Sequence, residues 1–255
     1  MAKAMRMMEE NVKLCDAVVF VLDTRAPAAT YNQKLQAIAG SRPVLYLFNK
    51  WDLGSADALL AAVKGAGKAV CPLDATSPRG KNTLMAAMNA VVSEKAQRLK
   101  EKGMARPLRF LVAGVPNTGK STVINLLSGA KRAVTGDKAG VTRSKQWVKC
   151  GAFDLMDTPG TMPPSFADQT LARRLAYIGS VNDDILELDE IALALLEDLS
   201  ALAPAALSER YGIEGGTPLQ MLEKVCIRRG FLLKGDEYDY ERGERALIDD
   251  FRKGK

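Results

Sequence analysis

The fold is decided by the stretch Gly114-Val115-Pro116-Asn117-Thr118-Gly119-Lys120-Ser121, which matches the pattern G-x-x-x-x-G-K-[ST]. An apolar run at 108–115 leads into it and a helical pattern at 121–127 follows, the strand–loop–helix setting that a phosphate-binding loop requires. Glycines let backbone N–H groups turn inward around phosphate oxygens, and the helix adds the positive end of its dipole. The predicted phosphate-binding residues are Asn117, Thr118, Gly119, Lys120, Ser121 and Thr122.

Catalytic and metal-binding candidates lie in and after this loop. Lys120 is expected to reach the β- and γ-phosphates, and Ser121 to bind Mg²⁺. An apolar strand ends in Asp157-Thr158-Pro159-Gly160, so Asp157 is expected near the metal and the Gly160 N–H near the γ-phosphate. Thr142, in a polar stretch containing glycine, is the candidate switch threonine that binds Mg²⁺ and supports catalysis, with an ordinary loop threonine as the alternative. No general base is identified, because the chain contains no histidine.

Base recognition is predicted at Asn49-Lys50-Trp51-Asp52, at the end of an apolar run. The Asp52 carboxylate would accept two N–H bonds from guanine and leave adenine unsatisfied, so it selects guanine. The Lys50 stem would cover the ring face, and Asn49 would brace the loops. The stretch Asp74-Ala75-Thr76 is expected to supply a backbone N–H for the guanine carbonyl. Together these motifs favour GTP and GDP over ATP.

The wider pattern predicts two domains. Apolar runs at 17–23, 44–49 and 68–73, a helix at 82–102, and a hairpin at 146–150 and 153–156 indicate a doubly wound α/β sheet. Beyond residue 165 only helical patterns remain, including a capping box with proline at 217–220. We therefore predict a nucleotide-binding domain over residues 1–165 and a smaller all-helical domain over residues 166–255.

Charge and composition set limits on function. Residues 1–165 carry 24 basic and 12 acidic side chains, a net +12, whereas residues 166–255 carry 12 basic and 18 acidic, a net −6. The positive first part fits a phosphate-bearing partner, or simply a solvated basic face. The absence of histidine excludes a Ser–His dyad or a His-ligated metal within this chain. Four well-separated cysteines favour a reducing compartment, and no apolar run approaches the ~18 residues that span a bilayer.

The order of the motifs points to a family. Common GTPases place the phosphate loop first and the base-recognition motifs last, whereas here the base-recognition motifs precede the loop. The chain resembles a circularly permuted GTPase, and most closely the ribosome biogenesis GTPase A family. The resemblance covers essentially the whole chain, including Asp23-Thr24-Arg25-Ala26-Pro27 and Cys226-Ile227-Arg228-Arg229-Gly230.

This resemblance implies a cytoplasmic GTPase that assists late assembly of the large ribosomal subunit. It implies that nucleotide state controls binding to ribosomal RNA, and that the C-terminal helical domain binds RNA. It also implies stimulation by potassium, which is associated with an asparagine at the position of Asn117. We expect a monomer with no membrane partner, and hydrolysis that is slow alone and stimulated by the ribosome.

The chain departs from expectation in catalysis and in charge. Thr161 follows Asp-Thr-Pro-Gly where Ras-like enzymes carry a water-orienting glutamine, which the family also lacks. The family is thought to use a histidine in a Gly-His-Met-Ala-Lys-Ala segment; this chain begins Met1-Ala2-Lys3-Ala4, so we expect a shortened start.

An acidic helical domain is an awkward RNA binder. Arg228, Arg229 and the basic residues at 252–255 would form a local patch, or the basic first domain would supply the attraction. Two other functions stay open: a nucleotide-gated RNA-binding module with incidental hydrolysis, and, with little support, a GTPase acting on a protein or membrane partner.

Overall fold

A computed structural model describes residues 2–31, 33–129, 146–162 and 168–255 of the chain. The chain divides into two compact units, Met1–Leu171 and Ala172–Lys255. The boundary predicted between residues 165 and 166 falls in segment 163–167, outside the described residues. Each unit has hydrophobic core residues of its own.

The described strands of the first unit form one six-stranded sheet in the order β3-β2-β1-β4-β6-β5. They are β1 (Ala17–Asp23), β2 (Val44–Asn49), β3 (Ala69–Leu73), β4 (Leu108–Ala113), β5 (Gln146–Cys150) and β6 (Phe153–Asp157). All pairs are parallel except β5–β6, which is the predicted antiparallel hairpin. Because the strands after β1 are added first on one side and then, from β4, on the other, the sheet is doubly wound and has a switch point between β1 and β4. The predicted fold class is confirmed.

Helices cover both faces of this sheet. They are α1 (Ala2–Val12), α2 (Pro27–Thr30), α3 (Gln33–Ala37), α4 (Asp57–Gly65), α5 (Gly80–Val91), α6 (Ser93–Glu101) and α7 (Lys120–Ser128). Leu84 of α5 and Ile124 of α7 pack in one core, while Met8 of α1 and Val63 of α4 pack in the other. Alternate residues of β1 enter the two cores because successive side chains of a strand point to opposite faces.

The predicted single helix over 82–102 is wrong, because it consists of α5 and α6 with a break at Val92. Val92 has φ −107° and ψ 11°, which is outside the α-helical region, and its side chain is buried in the core. The side chains of α5 reach the core, whereas α6 has no buried residue. Anchoring of Val92 therefore ends the packed helix, and a solvent-facing charged helix follows. Helices α1 to α4 were not predicted.

The second unit contains helices with one isolated two-residue bridge, Leu232 to Tyr238, among the described residues. Its α-helices are α8 (Gln169–Tyr177), which begins before the boundary at Ala172, α9 (Leu188–Leu202), α10 (Pro204–Tyr211), α11 (Pro218–Arg229) and α12 (Tyr240–Lys253). The predicted capping box of α11 is confirmed: the Thr217 hydroxyl accepts from the Gln220 N–H at 3.3 Å, and the Gln220 side chain accepts from the Thr217 N–H at 2.9 Å. No single described helix is long and apolar enough to cross a membrane; α9 and α10 pass that test only as a pair bent by 115°.

A buried carboxylate joins three helices of the second unit. Asp250 of α12 accepts hydrogen bonds from Arg210 at 2.8 Å and from the Tyr211 hydroxyl at 2.7 Å, both on α10, and from Arg229 at the end of α11. Burial alone would raise the pKa of Asp250, but the hydrogen bonds from Tyr211 and the two arginines lower it. Arg229, which the sequence offered as part of an RNA-binding patch, is thus engaged in holding the unit together.

Candidate nucleotide-binding site

The predicted site residues that the structure describes converge at the carboxyl ends of β2, β3, β4 and β6, beside the switch point. The phosphate loop leaves β4 and enters α7 at Lys120. Asn117 and Gly119 have left-handed backbones, with φ 60° and φ 91°. The Thr118 hydroxyl donates to the Val115 carbonyl at 3.1 Å and so closes the loop on itself. Thr122 lies half-buried in the first turn of α7.

Two glycines permit close approaches that any side chain would block. A Cβ on Gly119 would lie 2.3 Å from the amide nitrogen of Asn49, so the phosphate loop touches the base-recognition strand there. A Cβ on Gly160 would lie 2.7 Å from the backbone of Pro116. Gly160 therefore packs directly on the phosphate loop.

Asn49 links the base-recognition segments to the phosphate loop. Its side-chain nitrogen donates to the Thr118 carbonyl at 2.8 Å, and its side-chain oxygen accepts from the Ala75 N–H at 3.2 Å. The Thr76 N–H donates to the Asp74 carboxylate at 2.8 Å. The N–H groups of Ala75 and Thr76 both have acceptors within the protein, so either one would have to share or exchange its bond to contact a guanine carbonyl.

Lys50 and Asp52 present the rest of the base-recognition motif. Lys50 has a left-handed backbone with φ 59°, and its ammonium donates to the Asn117 carbonyl at 2.9 Å. Asp52 lies in a single 3₁₀ turn, Trp51–Leu53, and is exposed. The lysine stem is thereby stretched across the gap between the two motifs, while the carboxylate stays accessible at the surface.

Asp23, at the end of β1, completes this network and was not assigned a role from the sequence. It is fully buried and lies 2.8 Å from the Lys50 ammonium and 2.7 Å from the Arg25 guanidinium. Burial alone would raise the pKa of Asp23, but Arg25 and Lys50 lower it. Asp23 pairs in register with Asn49 on β2. The sequence showed Asp23 as an acid at the end of an apolar run and as part of the stretch 23–27 shared with the family, but its pairing with Lys50 required knowledge of the strand order.

Lys120 and Asp157 form the charged centre of the phosphate end. Burial lowers the pKa of Lys120 to about 8, against the opposing effect of Asp157, and the ammonium donates to the Val115 carbonyl at 2.8 Å. Burial raises the pKa of Asp157, against the hydrogen bond from Ser121 and the charge of Lys120. An anionic ligand here would stabilise the charged form of the lysine.

The Asp157 carboxylate offers oxygen to a metal ion. Its Oδ2 accepts from the Ser121 hydroxyl at 3.0 Å, and its Oδ1 is buried without a hydrogen-bond partner in the described part of the chain. Carboxylate and hydroxyl oxygens are ligands that Mg²⁺ prefers, so these two residues fit such an ion. Thr142, the third predicted ligand, lies outside the described residues.

Comparison with known proteins extends this picture to the whole chain. Residues 109–205 match a family model described as 50S ribosome-binding GTPase. Similar curated proteins include ribosome biogenesis GTPase A of Bacillus cereus, 35% identical over 100% of this chain and 88% of that protein. The same protein of Priestia megaterium is 33% identical over 100% and 91%.

Solved structures agree with these matches. GDP-bound TM YlqF is 26% identical with a TM-score of 0.66, covering 98% of this chain and 95% of that one. GNP-bound YlqF from T. maritima is 28% identical with a TM-score of 0.64, covering 99% and 94%. Full-length identity at this level, together with the permuted order of the motifs, shows that this chain is a GTPase and belongs to the ribosome biogenesis GTPase A family.

Proposed function

We propose that this chain is an assembly factor for the large ribosomal subunit that binds and hydrolyses GTP, and whose nucleotide state controls its binding to ribosomal RNA. The observation that carries the nucleotide part is the direct linkage of Asn49 and Lys50 to the phosphate loop at Thr118 and Asn117. The family model, described as 50S ribosome-binding, supports the large subunit as the partner. The proposed location is the cytoplasm.

Guanine recognition is assigned to the exposed Asp52, with Lys50 against the ring face and Asn49 bracing the loops. A carboxylate satisfied by the N1–H and the 2-amino group of guanine would instead face the N1 lone pair and a C–H in adenine, and an unsatisfied polar group costs about 1–3 kcal/mol. The segment at Asp74-Ala75-Thr76 would meet the guanine carbonyl once Ala75 shares its N–H between Asn49 and the base.

Phosphate binding is assigned to residues 117–122, with Lys120 and the Gly160 N–H at the terminal phosphate. Ser121 and Asp157 would hold Mg²⁺, which when bound neutralises charge on the phosphate oxygens. Lys120 should respond strongly to a bound phosphate, because an adjacent anion stabilises the charged form of an ammonium group most when that group is desolvated. Asn117 is assigned the potassium-dependent contact that the family resemblance implies.

Hydrolysis is proposed to be slow in the isolated chain. Thr161 carries no amide with which to orient the attacking water, and the chain contains no histidine. Thr142 is proposed to order against Mg²⁺ when the terminal phosphate is present. Stimulation would then come from the ribosome, which would supply or position the missing groups.

Sedimentation with purified ribosomal subunits in sucrose gradients tests the proposal. The chain should move with the large subunit when a non-hydrolysable GTP analogue is present, and stay at the top of the gradient with GDP. Asp52→Asn, which weakens guanine recognition without changing size, is the matched control and should lose the analogue-dependent shift. Movement with the small subunit, or equal binding in both nucleotide states, would contradict the proposal.

A nucleotide-gated RNA-binding module with incidental hydrolysis is the second candidate. The observation that favours it is Thr161, which carries no amide at the position where Ras-like enzymes have a water-orienting glutamine. Turnover measured with and without large subunits separates the two functions. Strong stimulation supports an assembly GTPase, and unchanged turnover with intact gated binding supports the module.

A further inference from the structure

We propose that the sheet edge opposite the nucleotide site binds the phosphate backbone of RNA. This edge, called the basic edge, is formed where the chain enters the parallel strands. The proposal rests on the proposed function, because it names the surface that meets ribosomal RNA. It also decides between the two RNA-binding surfaces that the sequence left open.

The topology brings cations from distant parts of the chain to this edge. Lys68 directly precedes β3, Arg42 lies two residues before β2, and Arg106 lies two residues before β4. Lys149 joins them because β5 runs antiparallel and ends where β6 begins. Strands are spaced by about 4.8 Å, so the strand ends from β3 to β6 extend over about 19 Å. Such a row suits a polyanion rather than a single small anion.

Two acids at this edge, Asp16 and Asp154, lie beneath cations. Asp16, before β1, has a side chain only 7% exposed and accepts two hydrogen bonds from Arg106 at 2.8 Å, with Lys95 4.0 Å away. Asp154 is 14% exposed and lies 3.9 Å from Arg109, whose own side chain is 45% exposed. Each of these two acids is thus shielded from solvent, while the side chains of the cations that contact it are more exposed than the acid itself.

A groove of about 610 Å³ at one end of the row offers cationic and amide hydrogen-bond donors. Arg42, Lys68 and Gln36 line it, and no acidic residue is among its lining residues in the described part of the chain. The Gln36 side-chain oxygen accepts from the Tyr46 hydroxyl at 2.9 Å, and its nitrogen is buried without a partner among the described residues. Two cations and an unsatisfied N–H group together favour a phosphate oxygen as ligand.

An aromatic surface lies beside Lys149 on β5, two residues along the strand and in register with Met156 of β6. Trp147 of β5 is 38% exposed, and the Arg109 guanidinium carbon lies 5.3 Å from its ring centroid. Lys149 is two residues further on the same face of the strand. Exposed aromatic and arginine planes beside cations are the surfaces on which unpaired bases stack. This combination favours RNA over an acidic protein.

The second unit offers less positive charge to a partner. Six of its twelve cations pair with its own acids: Arg252 with Asp183 at 2.7 Å, Arg245 with Glu241 at 3.0 Å, Lys253 with Asp249 at 2.7 Å and Arg242 with Asp239 at 3.9 Å, besides the two arginines on Asp250. With a net −6 over residues 166–255, the attraction for RNA phosphates must come mainly from the first unit.

Two matched triple variants of the full chain test the proposal. The edge variant removes exposed cations of the first unit: Lys68→Ala, Lys95→Ala and Lys149→Ala. The control variant removes three cations of the second unit: Lys224→Ala, Arg228→Ala and Lys234→Ala. Binding to purified large-subunit ribosomal RNA is measured by filter retention over a series of KCl concentrations. Affinity for a fluorescent GDP analogue checks that each variant is folded.

The edge variant should reduce the slope of log affinity against log salt by about 2–3, because each phosphate contact contributes about 0.7–0.9. The control variant should keep the wild-type slope, and both should bind GDP normally. An edge variant with the wild-type slope overturns the basic edge while leaving the proposed function intact. Wild-type chain that binds no ribosomal RNA overturns both. If the edge variant no longer sediments with subunits but binds ribosomal RNA as the wild type does, the partner of the basic edge is an acidic protein, and the RNA proposal is overturned.

Discussion

Asp23→Asn should weaken both the fold and nucleotide binding, although Asp23 belongs to none of the motifs for GTP. The substitution keeps the shape and removes the charge that faces Arg25 and Lys50. Arg25 has a side chain only 3% exposed, so the substitution would remove the charge of Asp23 from a buried cation. Removing one partner of a buried ion pair costs about 3–5 kcal/mol, and we expect that loss in the free energy of unfolding.

Nucleotide affinity should fall because Lys50 loses the charged acceptor Asp23, which together with the Asn117 carbonyl holds its ammonium in place. A hydrogen bond to a charged group is worth about 1.5–3 kcal/mol, so the Kd for GDP should rise at least about tenfold. Urea unfolding and fluorescence titration with a GDP analogue measure the two effects. Asp16→Asn is the control: it lies at the other end of β1, so it should leave GDP affinity unchanged, and its partner Arg106 is 35% exposed and can be hydrated, so it should lower the free energy of unfolding by less than Asp23→Asn.

The effect of Asp23→Asn on the free energy of unfolding should depend on pH in a definite direction. The pKa of Asp23 is lowered in the folded chain, so its contribution to stability is complete above the unfolded pKa of about 3.9 and is lost as pH falls through the folded value. The difference in unfolding free energy between wild type and Asp23→Asn should therefore be constant near neutral pH and shrink below about pH 4. Wild-type GDP affinity in Asp23→Asn, or a stability difference independent of pH down to acid unfolding, would refute the reasoning.

Three further changes have definite expectations. Gly160→Ala forces a Cβ to 2.7 Å from Pro116, so GTP-analogue affinity should fall by about tenfold or more while GDP affinity changes less, as titration with both nucleotides would reveal. Asp157→Asn should raise the Mg²⁺ concentration needed for half-maximal GTP hydrolysis, because it weakens the oxygen set shared with Ser121; an unchanged Mg²⁺ profile would count against the assigned site. Thr161→Val removes a buried hydroxyl without a described partner, so thermal unfolding should occur at the same or a higher temperature, and a lower one would mean that the hydroxyl is satisfied.

The nucleotide motifs could be located from the sequence because each follows a strongly apolar strand. Asn49 and Asp157 are the last residues of β2 and β6, and the capping box at Thr217 is a local pattern with a local cause. Contacts between strands that are distant in sequence were not predictable in the same way. The Asp23–Lys50 pair depends on β1 lying beside β2 in a register that aligns Asp23 with Asn49, and register follows from packing of the whole sheet.

Local patterns also failed where tertiary contacts overrode them. The run from 82 to 102 has continuous helical propensity, yet burial of Val92 breaks it into α5 and α6. From its sequence neighbours Arg229 was expected to be a surface cation. In the structure it forms an ion pair with Asp250, which lies on the following helix, α12. In both cases the deciding partner lies on another element, so no periodicity within the segment records it.

The positions of the two proposed sites also constrain how GTP can control RNA binding. β4 has Arg109 near the basic edge, and its other end leads into the phosphate loop; six residues at about 3.3 Å each put the sites about 20 Å apart. No described residue is assigned to both the nucleotide site and the basic edge. The salt-dependent attraction of RNA to the basic edge should therefore be the same with GDP and with a GTP analogue. The edge variant should therefore weaken RNA binding by an equal factor in both states and preserve their ratio, since effects at distant sites add. A changed ratio would mean that the strands transmit the nucleotide state to the edge itself.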